Sequence, residues 1–151
     1  MEMATADHLD QRVRAFIYDA LMASGKAPTI QVSAMILDED PGAVRASFQR
    51  LADGHVFILQ SDGEVMAANP FANIQTTFVV ESGEGTYSAM CVWDALGIPV
   101  MLNTDAIVRT ACGDCNDAME LRVRDGMLED VAAMIHFGVP ARHWWDNIVF
   151  S

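Results

Sequence analysis

The chain has 151 residues, with nine Lys and Arg against 21 Asp and Glu and a formal net charge of -12 at pH 7. That length suits one domain, or a small module attached to a compact second one. The acidity excludes unaided binding to a phosphate backbone or an anionic lipid surface, which relies on Lys and Arg. A hydrophobic content of 52% argues against disorder. Three cysteines cannot all pair among themselves, and a secreted disulfide scaffold normally carries more of them in an even number. The first nine residues show no basic stretch followed by an apolar run, and no apolar segment reaches the ~20 residues that span a bilayer. A soluble, cytoplasmic protein with reduced thiols is expected, with neither nucleic acid nor membrane as a partner.

In chain order, Asp10 to Ser24 predicts a helix, because Val13, Phe16, Ile17, Ala20 and Leu21 recur at helical spacing before Gly25. Thr29 predicts the cap of a short second helix with Ile30, Ala34 and Met35. Asp40-Pro41 predicts a third, an N-cap followed by proline at the first helical position. Its apolar stripe is Val44, Phe48 and Leu51, and Gly54 closes it. Val56 to Leu59 and Val65 to Ala68 then read as a hairpin turning through Asp62-Gly63.

Three helices and a hairpin outline a winged helix-turn-helix. A DNA reader is a poor fit to it, since residues 1–70 hold five basic residues against ten acidic ones and the third helix offers only Arg45 and Arg50. A structural or oligomerisation module fits better. Asn69-Pro70-Phe71 interrupts the pattern and marks the boundary.

In the second half, Phe78-Val79-Val80 and Tyr87 to Met90 read as strands around a turn at Ser82 to Gly85. The run Cys91 to Leu96 reads as a short helix with Cys91 in its first turn and Gly97 ending it. Cys91 and Asp94 then share one face. A thiol at a helix start is a better nucleophile or metal ligand, and a carboxyl one turn away can move a proton there. The alternative is a buried cysteine acting as a small hydrophobe. A carboxylate in so apolar a segment is harder to dismiss, because burying it without a partner is costly.

The run Tyr87-Ser88-Ala89-Met90-Cys91-Val92-Trp93-Asp94-Ala95-Leu96-Gly97-Ile98-Pro99 resembles the active-site segment of the organomercurial (alkylmercury) lyases. Ile135-His136-Phe137-Gly138-Val139-Pro140, with Trp144-Trp145 beyond, is similar to a later part of the same family. The resemblance implies an α+β fold: a winged-helix-like N-terminal module over residues 1–70 joined to a small mixed-sheet catalytic domain over residues 71–151. It implies cleavage of a carbon–mercury bond that releases a hydrocarbon and Hg(II). Cys91 would be the nucleophilic thiol and Asp94 the proton shuttle, with no cofactor required.

In that family a second cysteine lies a few residues before the His-Phe pair. Here Val131-Ala132-Ala133-Met134 stands in that region, and Ala132 is the counterpart. The second sulfur would then come from Cys112, Cys115 or a small cytosolic thiol, which makes Cys91, Cys112 and Cys115 the candidate metal ligands. Relatives also continue past the point where Phe150-Ser151 ends this sequence, so a closing element of the domain is expected to be missing.

Cys112-Gly113-Asp114-Cys115 lacks a second pair or spaced histidines to complete a zinc site, so the zinc reading is weaker than that of a turn with two buried, structural thiols. His136 is expected as a hydrogen-bonded core residue, and Trp144 and Trp145 as buried packing or a pocket wall. Met119 to Val123 reads as a strand and Asp125-Gly126 as a turn. Two other readings remain open: a lyase or hydrolase using Cys91 and Asp94 on a substrate without mercury, and a non-catalytic metal-binding or regulatory homologue. Ten methionines and an apolar surplus leave room for a homodimer face.

Overall fold

The computed structural model describes residues 2–129 and 132–148. Val131, Phe150 and Ser151, named above, lie outside the described residues. Three helices open the chain: α1 (Glu2–Ser24), α2 (Ile30–Leu37) and α3 (Pro41–Asp53). The caps act as the sequence predicts. Thr29 accepts from the Val32 N–H, and Asp40 accepts from the Ala43 N–H with Pro41 beside it. Helix α1 starts earlier than its apolar stripe suggests.

The strands are β1 (Ile58–Leu59), β2 (Val65–Ala68), β3 (Phe71–Ala72), β4 (Phe78–Ser82) and β5 (Thr86–Ala89). Helix α4 (Val92–Leu102) follows, then β6 (Ala106–Ala111), β7 (Ala118–Arg124) and β8 (Met127–Leu128). They form one sheet in the order β1-β2-β3-β5-β4-β6-β7-β8. Every pairing is antiparallel, which corrects the expected mixed sheet. The reason is topological. Strands β5 and β6 run in the same direction on either side of the α4 crossover, but β4 lies between them and pairs antiparallel with both.

One apolar core joins the helices to this sheet. It runs from Val13, Ile17 and Leu21 on α1 through Phe48 and Phe57 to Phe71, Tyr87, Ile98 and Val108, all essentially inaccessible. The Tyr87 hydroxyl reaches across to donate to the Met22 carbonyl at 2.8 Å. Among the described residues no helix is long and apolar enough to cross a membrane.

The sequence reading ends the Cys91 helix at Gly97, and the structure corrects this. Helix α4 continues through Gly97 and Pro99 to a left-handed cap at Asn103 (φ 51°). Ala95, Ile98 and Pro99 are buried against the sheet, and that burial outweighs the backbone hydrogen bond that proline cannot make.

Candidate active site

The chain reaches the site through the end of β5. Thr76 Oγ1 donates to the Ala89 carbonyl at 2.6 Å and accepts from the Phe78 N–H at 3.2 Å, which pins β5 against the start of β4. Two residues on, Cys91 takes extended angles (φ -147°, ψ 176°) as the N-cap of α4. The helix therefore begins one residue after the thiol, and Asp94 falls in its first turn, as the three-residue spacing predicts. The Cys91 Sγ–H donates to Asp94 Oδ2 at 3.6 Å.

Both groups are half-buried. Burial pushes the Asp94 carboxyl up to about 6, opposed by the hydrogen bond from Cys91. Burial also pushes the Cys91 thiol above its ordinary value, and the nearby Asp94 charge adds to that. The Asp94 and Trp93 backbone N–H groups at the helix start pull the other way. The resting pair is thus a protonated thiol hydrogen-bonded to a carboxylate with raised proton affinity. One proton lies between neighbours in direct contact, and the raised affinity of the carboxyl lets it take that proton when the thiol gives it up.

The pair opens into a cavity of about 590 Å³. Met90 to Asp94 and Phe78 form its floor, and Ile58 and Asn69 contribute from the N-terminal segment. His136, Phe137 and the tryptophans of a 3₁₀ turn, Ala141–Asp146, supply the remaining wall. Trp144 Nε1 donates to the Val139 carbonyl at 2.8 Å, and its ring lies 5.1 Å from Phe137. Trp145 stacks flat on His55, with centroids 4.1 Å apart and an interplanar angle of 4°. That stack ties the C-terminal segment to the loop leading into β1. Cavities against α2 and against α1 hold no thiol or imidazole.

Several residues lie elsewhere than the sequence suggests. His136 is exposed and lines the cavity rather than resting in the core. Trp144 and Trp145 form pocket wall, and neither is fully buried. The segment that carries them, 132–148, runs outside the sheet, so its apolar residues have no core to enter. Ala132 is exposed and offers no donor.

Cys112 and Cys115 sit in the β6–β7 turn and do not line the cavity. Cys112 is half-buried and Cys115 is exposed, so they are not the two buried thiols of the sequence reading. A turn leaving the sheet has no second layer over it. No other thiol lines the cavity among the described residues; the neighbouring Met90 thioether is a weaker soft donor. Nothing in the sequence singles out Asn69 as a site residue. Its Oδ1 is buried without a partner beside the cavity, and its carbonyl accepts from the Tyr18 hydroxyl at 2.9 Å.

Residues 71–150 match the family model described as MerB, alkylmercury lyase. Solved structures similar to the chain include the crystal structure of the mercury-bound form of MerB2, at 20% identity and a TM-score of 0.63. The alignment covers 82% of this chain and 59% of that one, so the chain spans less than two thirds of that protein's length. At this identity the likeness concerns the fold. No curated protein matches the chain.

Proposed function

The chain belongs to the alkylmercury lyase family, a family of enzymes, and from that premise we propose that it cleaves carbon–mercury bonds by protonolysis at Cys91 and Asp94. The observation that carries this reading is the 3.6 Å contact between the Cys91 thiol and the Asp94 carboxylate at the floor of a cavity large enough for a small aryl or alkyl group. The soft thiolate suits a soft metal. As the Cys91 sulfur bonds to mercury, the halide or small thiolate that mercury carried leaves as an anion and the Cys91 proton passes to Asp94. A small solution thiol loses its proton to solvent and bonds to mercury as a thiolate, the second sulfur. Asp94 then delivers its proton to the carbon as the carbon–mercury bond breaks. The hydrocarbon leaves with Hg(II) still held by the Cys91 sulfur and the solution thiolate. A second solution thiol then bonds to mercury as the Cys91–Hg bond breaks, and its proton returns to Cys91. The bis-thiolate Hg(II) departs with no electron transferred to or from an outside reagent.

The reaction is tested by incubating the protein with an arylmercury compound and excess monothiol and measuring the arene in the headspace. Release above the protein-free background is expected; release equal to that background overturns the reading. The pH profile follows from the same pair. Asp94 must be ionised to take the Cys91 proton, so the rate falls by up to about tenfold per pH unit below about 6. The alkaline limb lies above the ordinary cysteine range, because burial holds the proton on Cys91. A rate that rises steadily from pH 7 to pH 4 contradicts this order of proton transfers.

The stacked His55 and Trp145 rings hold the outer wall. Replacing His55 by alanine removes an aromatic pair worth about 0.5–1.5 kcal/mol and raises KM roughly two- to tenfold, with kcat little changed. Steady-state kinetics on the arylmercury substrate read this directly.

We take residues 1–70 as a winged-helix-like module with a structural role and residues 71–151 as the lyase-like unit, a division supported by a family match that begins at residue 71. A second reading, in which Cys91 and Asp94 act on a substrate without mercury, is favoured by the absence of another thiol from the cavity wall among the described residues. It predicts no arene release and alkylation of Cys91 by electrophilic substrate analogues.

A further inference from the structure

The β6–β7 turn carries two thiols that the chemistry at Cys91 leaves unused. The turn is closed at its base: the Cys112 N–H donates to the Asp117 carbonyl at 2.8 Å, and the Asn116 N–H donates to the Cys112 carbonyl at 2.9 Å. Within it Cys112 and Cys115 stand three residues apart, so one tight turn carries both sulfurs. Gly113, Asp114 and Cys115 are all exposed, so an incoming ligand meets an open pair of sulfurs.

The donor set limits what this pair can hold. Among the described residues no group of three or more His, Cys, Asp or Glu side chains is placed to bind a metal. Structural zinc takes four ligands and is poorly served by two. A soft cation satisfied by two thiolates has no such need. Asp114 and Asp117 add local negative charge without competing as soft donors.

The pair also lies on the same side of the molecule as the candidate active site. Phe78 pairs with Ala89, and Val79 pairs with Arg109. The chain leaving β5 toward Cys91 and the chain leaving β6 toward Cys112 therefore emerge at the same end of the sheet. They are separated by β4, two inter-strand spacings or about 10 Å. That is too far for shared ligation in this arrangement and near enough for transfer through one carrier thiol.

We propose that Cys112 and Cys115 form a second thiolate site that chelates a soft two-coordinate cation and receives the Hg²⁺ leaving Cys91. The chelation stands on the turn alone; the identity of the donor rests on the lyase reading. Mercury arrives as a bis-thiolate complex of small thiols. Two Hg–S bonds form to Cys112 and Cys115, two Hg–S bonds to the carriers break, and the two cysteine protons leave on the carrier thiols. No electron moves.

The test uses inorganic Hg²⁺, so it does not depend on carbon–mercury cleavage. Fully reduced protein is equilibrated anaerobically with HgCl₂ in excess free cysteine and desalted, and bound mercury and remaining thiols are counted. Wild type and Cys91→Ser each retain one mercury per chain. Cys112→Ser and Cys115→Ser each retain less than about a tenth of that, because one sulfur loses the effective-concentration advantage of two. Single variants that hold as much as wild type overturn the proposal. So does a wild type that holds none while all three thiols count as free, or one whose pair has become a disulfide under these conditions. If the pair retains mercury and the wild type releases no arene, the second site stands and the lyase reading fails. Arene release without mercury retention overturns the second site and leaves the lyase reading standing.

Discussion

Replacing Cys91 by serine is expected to bring arene release down to the solution background without unfolding the protein. A serine hydroxyl is a hard, weakly acidic oxygen and forms no bond to mercury that competes with a solution thiolate. The fold has no reason to suffer. Cys91 occupies the N-cap of α4 in extended geometry, a position where serine is among the preferred residues. The variant should therefore be as stable as wild type or more so, by about 0.5–1 kcal/mol. Urea unfolding and headspace measurement on the same preparation separate the two effects. A destabilised serine variant contradicts the assigned cap geometry, and an active one contradicts the assigned nucleophile.

Replacing Asp94 by asparagine keeps the shape and still accepts the Cys91 hydrogen bond, but it removes the proton carrier. Release should fall by about 10²–10⁴-fold, the usual contribution of a positioned acid–base group, while arylmercury still binds through the thiol. Stability should move in the other direction at alkaline pH. Burial raises the folded-state pKa of Asp94 from 3.8 to about 6, so the folded protein favours the protonated form. That contribution is complete below about pH 4 and is lost as pH rises through about 6. At pH 8 the wild type holds a partly desolvated carboxylate that asparagine relieves, for a gain of about 1–2 kcal/mol after allowance for solvent screening. At pH 4 the two proteins should unfold together. Equal stability at both pH values contradicts the desolvated carboxylate.

Much of the N-terminal fold was legible because its signals are local. Thr29 and Asp40-Pro41 announce α2 and α3 through side chains that bond to their own backbone. The extra turns of α1 before Asp10 carry no clear apolar stripe, so the pattern understates that helix. Gly97 and Pro99 read as a stop, yet tertiary burial of Ile98 and Pro99 carries α4 past them. Strand β3 is too short to show a period, and its register comes from its neighbours.

The active site divides in the same way. Cys91 and Asp94 are three residues apart, so spacing alone puts them on one helical face. His136, Asn69 and the His55–Trp145 stack come from segments that only tertiary packing brings to the cavity. His136 misled for a further reason: an apolar run around a histidine signals a core only where a second layer covers it, and segment 132–148 lies outside the sheet. The arrangement of Cys112 and Cys115 was half visible. Their spacing implies a turn, and their exposure follows from where that turn leaves the sheet.

The most direct test of the chemistry assigned to Cys91 and Asp94 is a single-turnover experiment with phenylmercury at one equivalent per chain in excess monothiol, following benzene release and protein-bound mercury together. Wild type should release one benzene per chain. Asp94→Asn should bind phenylmercury and release benzene at least a hundredfold more slowly. Cys91→Ser should release none above the protein-free control. Benzene release by Cys91→Ser or Asp94→Asn at the wild-type rate contradicts the assignment of carbon–mercury cleavage to this pair.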